Sequence, residues 1–269
     1  MFHLVKYFIN LLKPNRVLLD IYGNKYIDNR SRALEQHVAQ NGVFDEFEQI
    51  NLFITKFVPN DSRFLALDVG ANVGLVAFPL SNFFKEVIAF EVDPENAKIF
   101  LSNLDLNDSK NVKFFNIGVG SSPTALELCI NRVIDGDGFI NNGLSSLSEN
   151  NRKYKKKIIE VNVISLDAFF SNNKIKALNF IKIDTEGFEY EVLKGANDVI
   201  QKFRPFIFYE SSHTLDQRLG NGVRLKSFDY LTDRGYTHYI YQNSAFAKIT
   251  RNDLLVDKSD INLFAVYDE

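Results

Sequence analysis

The stretch Phe64-Leu-Ala-Leu-Asp-Val-Gly-Ala-Asn-Val-Gly74 constrains the fold more than any other. It reads as an apolar strand that stops at Asp68, turns through Gly70 and opens into a helix near Gly74. In an open α/β sheet, ligands sit outside the carboxyl end of such a strand. Gly70 permits close approach of the backbone, and the helix N-terminus would offer unpaired N–H groups. The spacing is Gly-x-x-x-Gly, not the Gly-x-Gly-x-x-Gly that supports a pyrophosphate.

From residue 64 onward, apolar runs alternate with helical stretches. Strands are expected over 64–67, 87–92, 112–119, 178–183 and 206–209. Helices are expected through Phe84, from Asp93-Pro94 to about Leu106, across Val192, Leu193 and Val199, and over 228–232. That alternation predicts a mostly parallel sheet with helices on both faces. Runs 236–241 and 261–267 predict a C-terminal strand pair, and 125–130 with 158–163 predict two strands flanking a long polar loop. A loop of that length is a substrate-side lid or a mobile insertion. Its basic run, 152–157, reads as a solvated face.

Residues 1–59 read as an extension and 60–269 as the main domain. Within the extension, Phe2, Val5, Phe8, Ile9 and Leu12 fall at helical spacing over residues 1–13, for packing or for contact with a membrane surface. A hairpin is expected around Gly23-Asn24, and a helix over 44–57.

A formal charge of −3 gives no electrostatic footprint for nucleic acid. The 45% apolar content suffices for a continuous core, which the aromatics are expected to fill. Cys129 is the only cysteine, so no internal disulfide forms, and four histidines make no Cys/His zinc cluster. Residues 1–13 lack a signal-peptide cleavage site and are too short to cross a bilayer, so a cytoplasmic location, peripheral to a membrane at most, is expected.

Strand ends place Asp68, Glu91, Asn116, Asp184 and Glu210 along one edge, facing one crevice. Glu91 is suited to accept both ribose hydroxyls of a nucleoside. Asp93 is the better helix cap. Asp68 and Asn72 suit an amino-acid moiety, and Asn116 and Ile117 would flank an adenine. In Asp184-Thr-Glu-Gly-Phe-Glu189, Gly187 allows a close turn, Asp184 and Glu186 point into the crevice, and Glu189 opens a helix. These acids could supply oxygens to Mg²⁺, but no further ligand is identifiable and no metal site is expected. His213, just past a strand end, is a candidate base. His3, His37 and His238 have no supporting neighbours in sequence.

Several motifs occur in order: Asp68-Val-Gly-Ala-Asn-Val-Gly74, Ala89-Phe-Glu-Val-Asp-Pro94, Asn103-Leu-Asp-Leu-Asn107, Gly143-Leu-Ser-Ser-Leu147, Ser165-Leu-Asp167 and Ile181-Lys-Ile-Asp-Thr-Glu-Gly-Phe-Glu189. Val192-Leu-Lys-Gly-Ala196 and Phe208-Tyr-Glu210 follow. Over about residues 60 to 212 the chain resembles the FkbM family of S-adenosylmethionine-dependent methyltransferases. The resemblance implies the Rossmann-like, seven-stranded class I methyltransferase fold, with S-adenosylmethionine as cofactor. Asp68, Gly70, Asn72, Gly74 and Glu91 fall on the family's cofactor motif, and Asp184, Glu186 and Glu189 on its acidic motif. Val92 stands where the family commonly has proline. The expected cofactor site is Asp68, Gly70, Ala71, Asn72, Gly74, Glu91, Val92, Asp93, Asn116, Ile117 and Asp184. The expected reaction is O-methylation of a small-molecule or glycan hydroxyl, with Asp184 as base and Glu186 or His213 behind it. A nicotinamide oxidoreductase and a non-catalytic binding protein on the same fold are the alternatives.

Overall fold

The structure is a computed structural model that describes residues 17–21, 23–28, 45–130, 133–134, 140–141, 145–147, 157–220 and 222–268. The helix expected over residues 1–13, most of the polar loop, and His3 and His37 lie outside the described residues.

Five short runs, β3 (Leu65–Val69), β4 (Glu86–Phe90), β5 (Val112–Phe115), β11 (Phe180–Ile183) and β12 (Phe206–Ser211), pair in parallel. They lie in the order β12-β11-β3-β4-β5. Alternate residues feed two cores: Leu65, Leu67, Val69, Ile181, Ile183 and Ile207 on one face, Ala66, Phe180 and Phe208 on the other. Burial on both faces is why these strands read as unbroken apolar runs. The C-terminal strands β13 (Tyr236–Gln242) and β15 (Ile261–Tyr267) extend the sheet, with β15 antiparallel to both β12 and β13. A further strand, β14 (Ala245–Ile249), pairs with β13 and makes the sheet eight-stranded among the described residues, one more than expected.

The first crossover corrects the expectation of a helix running from Gly74 to Phe84. Only Ala77–Leu80 is helical (α2). Positive φ at Asn72 and Gly74 holds the loop open before it, and consecutive turns carry the chain after it. Helix α3 (Pro94–Asn107) starts as expected, with the Asp93 side chain accepting from the Glu95 N–H. The third strand is not continuous to Val119. It stops at Phe115, and β6 (Gly118–Val119) leaves for a second sheet with β10 (Lys157–Ile164) and β7 (Thr124–Ile130). The helix expected across Val192 to Val199 is two, α5 (Glu189–Lys194) and α6 (Asn197–Phe203), separated at Gly195.

In the N-terminal part, β1 (Val17–Ile21) and β2 (Asn24–Asp28) form the expected hairpin. Helix α1 (Asp45–Phe57) buries Phe47, Ile50, Phe53 and Ile54 against the second core, with Phe53 stacked on Phe264 at 4.4 Å. Its first turn therefore lies on the sheet face that also carries Asp68 and Lys182. No helix among the described residues is long and apolar enough to cross a membrane.

Candidate functional site

The glycine loop is held from three sides. Gly70 and Ala71 both donate their N–H to the Phe90 carbonyl, at 3.0 and 2.9 Å, and the Asn103 amide donates to the Val73 carbonyl at 2.9 Å. Gly70 has φ +80°, and a Cβ there would stand 1.8 Å from the Asp184 carbonyl oxygen. The loop therefore runs directly against the end of β11, a closeness only glycine allows.

Glu91 sits one residue past β4. Its Oε2 accepts from Asn72 N at 2.8 Å and its Oε1 from Asp93 N at 2.7 Å. Burial pushes this carboxyl up to about 7, against the pull of those two N–H groups. A carboxylate has about four lone-pair sites, so two more acceptor positions could take a pair of vicinal hydroxyls. The Asn116 amide turns back onto the Glu91 carbonyl at 2.7 Å, which fixes the break between β5 and β6. Ile117 packs on the first core and Val92 on the small core under the second sheet.

The second sheet reaches over this rim through Ser145 and Ser146. Ser145 Oγ donates to Asp93 Oδ2 at 2.9 Å, and Ser146 Oγ donates to the Glu186 carbonyl at 2.7 Å. Ser146 is itself paired through its backbone with Cys129, a buried free thiol. One short segment thus spans from the helix cap beside Glu91 to the acidic loop.

That loop turns on Glu189, whose Oε1 accepts from Thr185 N, Thr185 Oγ1 and Gly187 N at 2.8, 2.9 and 3.1 Å. Glu189 therefore shapes the turn that displays Asp184 and Glu186. Burial, then the charges of Asp184 and Glu189, hold the Glu186 carboxyl well above its ordinary range. Asp184, Glu189 and Glu210 each bring an oxygen within 4.8 Å of the others. Glu210 is thus the further oxygen donor that spacing did not identify beside the acidic motif, and its Oε2 is buried with no hydrogen-bond partner. Burial and the neighbouring acids push Glu210 well above its usual range too.

The residue that sequence reasoning missed is Lys182. It sits opposite Asp68 in the β11–β3 pairing and is 3% exposed. Its Nζ donates to the Gly70 carbonyl at 3.0 Å and lies 3.4 Å from both Asp68 Oδ1 and Asp184 Oδ2. Burial pulls its pKa down, but Asp68, Asp184 and Glu46 outweigh burial and raise it, so the side chain stays charged. Asp68 is fully buried beneath the crevice rather than lining it, and burial raises its carboxyl against the pull of Lys182. A lysine in the middle of an apolar strand run was the available signal, since such a charge is buried only with partners.

The two described histidines separate. His213 is the first residue of α7 (His213–Leu219), behind the Ser212 cap. His238, expected to lack supporting neighbours, has three. Its Nδ1 is 3.0 Å from Tyr209 Oη, its Nε2 is 3.1 Å from Thr232 Oγ1, and its ring stacks on Phe228 at 3.9 Å. Burial pushes it down to about 4, which marks a neutral core histidine.

A methyltransferase FkbM domain model matches residues 68–237, well over half of the chain. "Methyltransferase 1" of Beauveria bassiana (strain ARSEF 2860) is 26% identical over 170 residues, 57% of this chain and 68% of that protein. The crystal structure of Methyltransferase FkbM from Methylobacillus flagellatus KT superposes with TM-score 0.47 and 20% identity, over 78% of this chain. The chain spans only 45% of that protein's length. A Streptococcus mutans protein solved in complex with S-adenosylhomocysteine (SAH) gives TM-score 0.47 and 12% identity, over 81% of this chain and 96% of that one. The strand order and the matched stretch agree: the fold is that of a class I methyltransferase, the cofactor is S-adenosylmethionine, and this chain belongs to the FkbM methyltransferase family.

Proposed function

We propose that this chain is an O-methyltransferase acting on a hydroxyl of a sugar or related polyhydroxylated acceptor. Residues 60–269 form the catalytic domain in this reading, and 1–59 its extension. The observation that carries it is the group of acids at one crevice, with Asp184, Glu189 and Glu210 oxygens within 4.8 Å of one another beside the glycine loop.

The donor supplies a methyl group already activated on a sulfonium. The protein's own task is to orient two reactants and remove one proton. Glu91 holds the ribose, the glycine loop takes the amino-acid end, and Asp93, Asn116 and Ile117 bound the base. Lys182 fixes the Asp184 carboxylate at the crevice, where it accepts the hydroxyl proton. Glu186, Glu210 and His213 stand next in line.

A cavity of about 430 Å³ opens beside Gly187 and Phe188 of the acidic loop. Ser121, Ser122, Thr124, Tyr190 and Lys226 line it. Hydroxyls, the rings of Phe188 and Tyr190, and the charges of Glu191 and Lys226 share the wall with apolar side chains, a mixture that suits a sugar, with its hydroxyls and apolar ring faces, better than a purely apolar acceptor. The nicotinamide alternative would share the Glu91 contact, but the chain belongs to a methyltransferase family.

The test offers isotopically labelled methyl donor together with sugars, nucleotide sugars, amines and thiols. Label recovered as a methyl ether on a sugar hydroxyl is the expected result; label recovered only on nitrogen or sulfur would overturn the reading. Separately, Glu91→Ala is expected to weaken SAH binding by at least about tenfold in calorimetry, since two hydrogen bonds to a buried carboxylate are lost. Unchanged affinity would remove Glu91 from the ribose site.

A further inference from the structure

Helix α1 brings one acid to Lys182. Glu46 Oε1 lies 3.8 Å from Lys182 Nζ, within ion-pair range but beyond hydrogen-bond range. Lys182 therefore faces three carboxylates: Asp68 and Asp184, each at 3.4 Å, and Glu46. Its hydrogen bond goes instead to the Gly70 carbonyl. Neither oxygen of Asp68 and not Oε1 of Glu46 has a hydrogen-bond partner, although all three atoms are buried.

Buried carboxylate oxygens without donors are costly, and one ammonium cannot serve three acids. Burial pushes Glu46 up to about 8 and raises Asp68 as well, both against the pull of Lys182, so a further cation at Glu46 would be favoured. Asp68 is enclosed, with its side chain 0% exposed, whereas the Glu46 side chain is 17% exposed and keeps an open side. Lys182 links Glu46 to the glycine loop: its ammonium lies 3.8 Å from Glu46 Oε1 and donates to the Gly70 carbonyl.

We propose that Glu46 accepts a hydrogen bond from the α-ammonium of S-adenosylmethionine and so recognises the amino-acid end of the donor. The inference rests on the reading of the glycine loop as the donor site. Glu46 precedes the matched family stretch, 68–237, so the N-terminal helix completes the donor pocket as well as covering one core. The competing role for Glu46 is that of a counter-ion to Lys182, acting only on the shape of the loop.

Two ligands separate these roles. SAH carries the α-ammonium; 5′-methylthioadenosine has the same nucleoside and thioether without the amino-acid end. Calorimetry on the full chain is expected to show Glu46→Gln weakening SAH roughly 10- to 100-fold, the usual range for a charge-assisted hydrogen bond. Methylthioadenosine affinity is expected to stay within about twofold. Glu46→Asp keeps the carboxyl on a shorter stem, and an intermediate loss confined to SAH is expected there. That variant also serves if Glu46→Gln does not fold. Equal losses for both ligands would make Glu46 a structural counter-ion, and an unchanged SAH affinity would remove it from the site; either overturns the proposal. A wild-type protein that binds neither ligand would overturn the donor-site reading, and this inference with it. A wild type that binds methylthioadenosine as tightly as SAH overturns the inference alone.

Discussion

Lys182→Met is expected to destabilise the protein by about 3–5 kcal/mol at neutral pH, the cost of stripping the partner from a buried ion pair. For a domain of this size that lowers the melting temperature by roughly 6–20 °C. Methionine fills much of the same volume, so the loss is electrostatic rather than a cavity. Asp68 would be left fully buried with no cation beside it, and the Gly70 carbonyl would lose its donor. The sign of the pH dependence follows from Asp68. Burial already raises its folded pKa above the ordinary 3.8, and removing Lys182 raises it further. A group whose pKa is raised by folding favours the folded state below its unfolded pKa, and that contribution is lost as pH climbs through the folded value. The deficit of the variant should therefore be small near pH 4 and complete at neutral pH. Thermal melts of both proteins across that range check it; a deficit independent of pH would mean that packing, not charge, holds Lys182 in place.

The same residue shows what a single sequence conveys and what it hides. The parallel core was legible because its strands are buried on both faces, so their apolar runs stand out against helical spacing. The C-terminal strand pair and the hairpin at Gly23 were legible for similar local reasons. Register was not. That Lys182 lies opposite Asp68, and that Glu210 reaches the oxygens of Asp184 and Glu189, depends on pairing between segments far apart in the chain. The shortened α2 was hidden because residues 75–84 are apolar enough for a full helix, while the turns around Asn72 and Gly74 consume the start of it. Asn116 was legible as a polar residue at a strand end, but the bond from its amide nitrogen to the Glu91 carbonyl was not. Ser145 and Ser146 stood in a recognisable motif, but their role as a tie between Asp93 and Glu186 needs the second sheet to be in place.

Asp184→Asn is expected to lower kcat by about 10²–10⁴-fold, the usual worth of a positioned general base. The replacement is close to isosteric, so SAH binding by calorimetry should change by no more than about twofold. A loss in kcat with unchanged ligand affinity marks an interaction made in the transition state rather than in the ground state. Three other groups compete for the role. Glu186 and Glu210 are both held above the usual carboxylate range, first by burial and then by neighbouring acids. His213 lies at the start of α7, behind the Ser212 cap. If Glu210 were the base, Glu210→Gln would abolish turnover while Asp184→Asn spared it. If Glu186 were, its replacement by Gln would do the same without disturbing the turn that Glu189 holds. Asparagine at 184 also removes one of the three acids around Lys182, so a melting temperature within a few degrees of wild type is the control. Turnover that survives Asp184→Asn with the authentic acceptor would move the proton to one of the two raised carboxyls. It would also leave Asp184 as a partner that only orients Lys182 against the glycine loop.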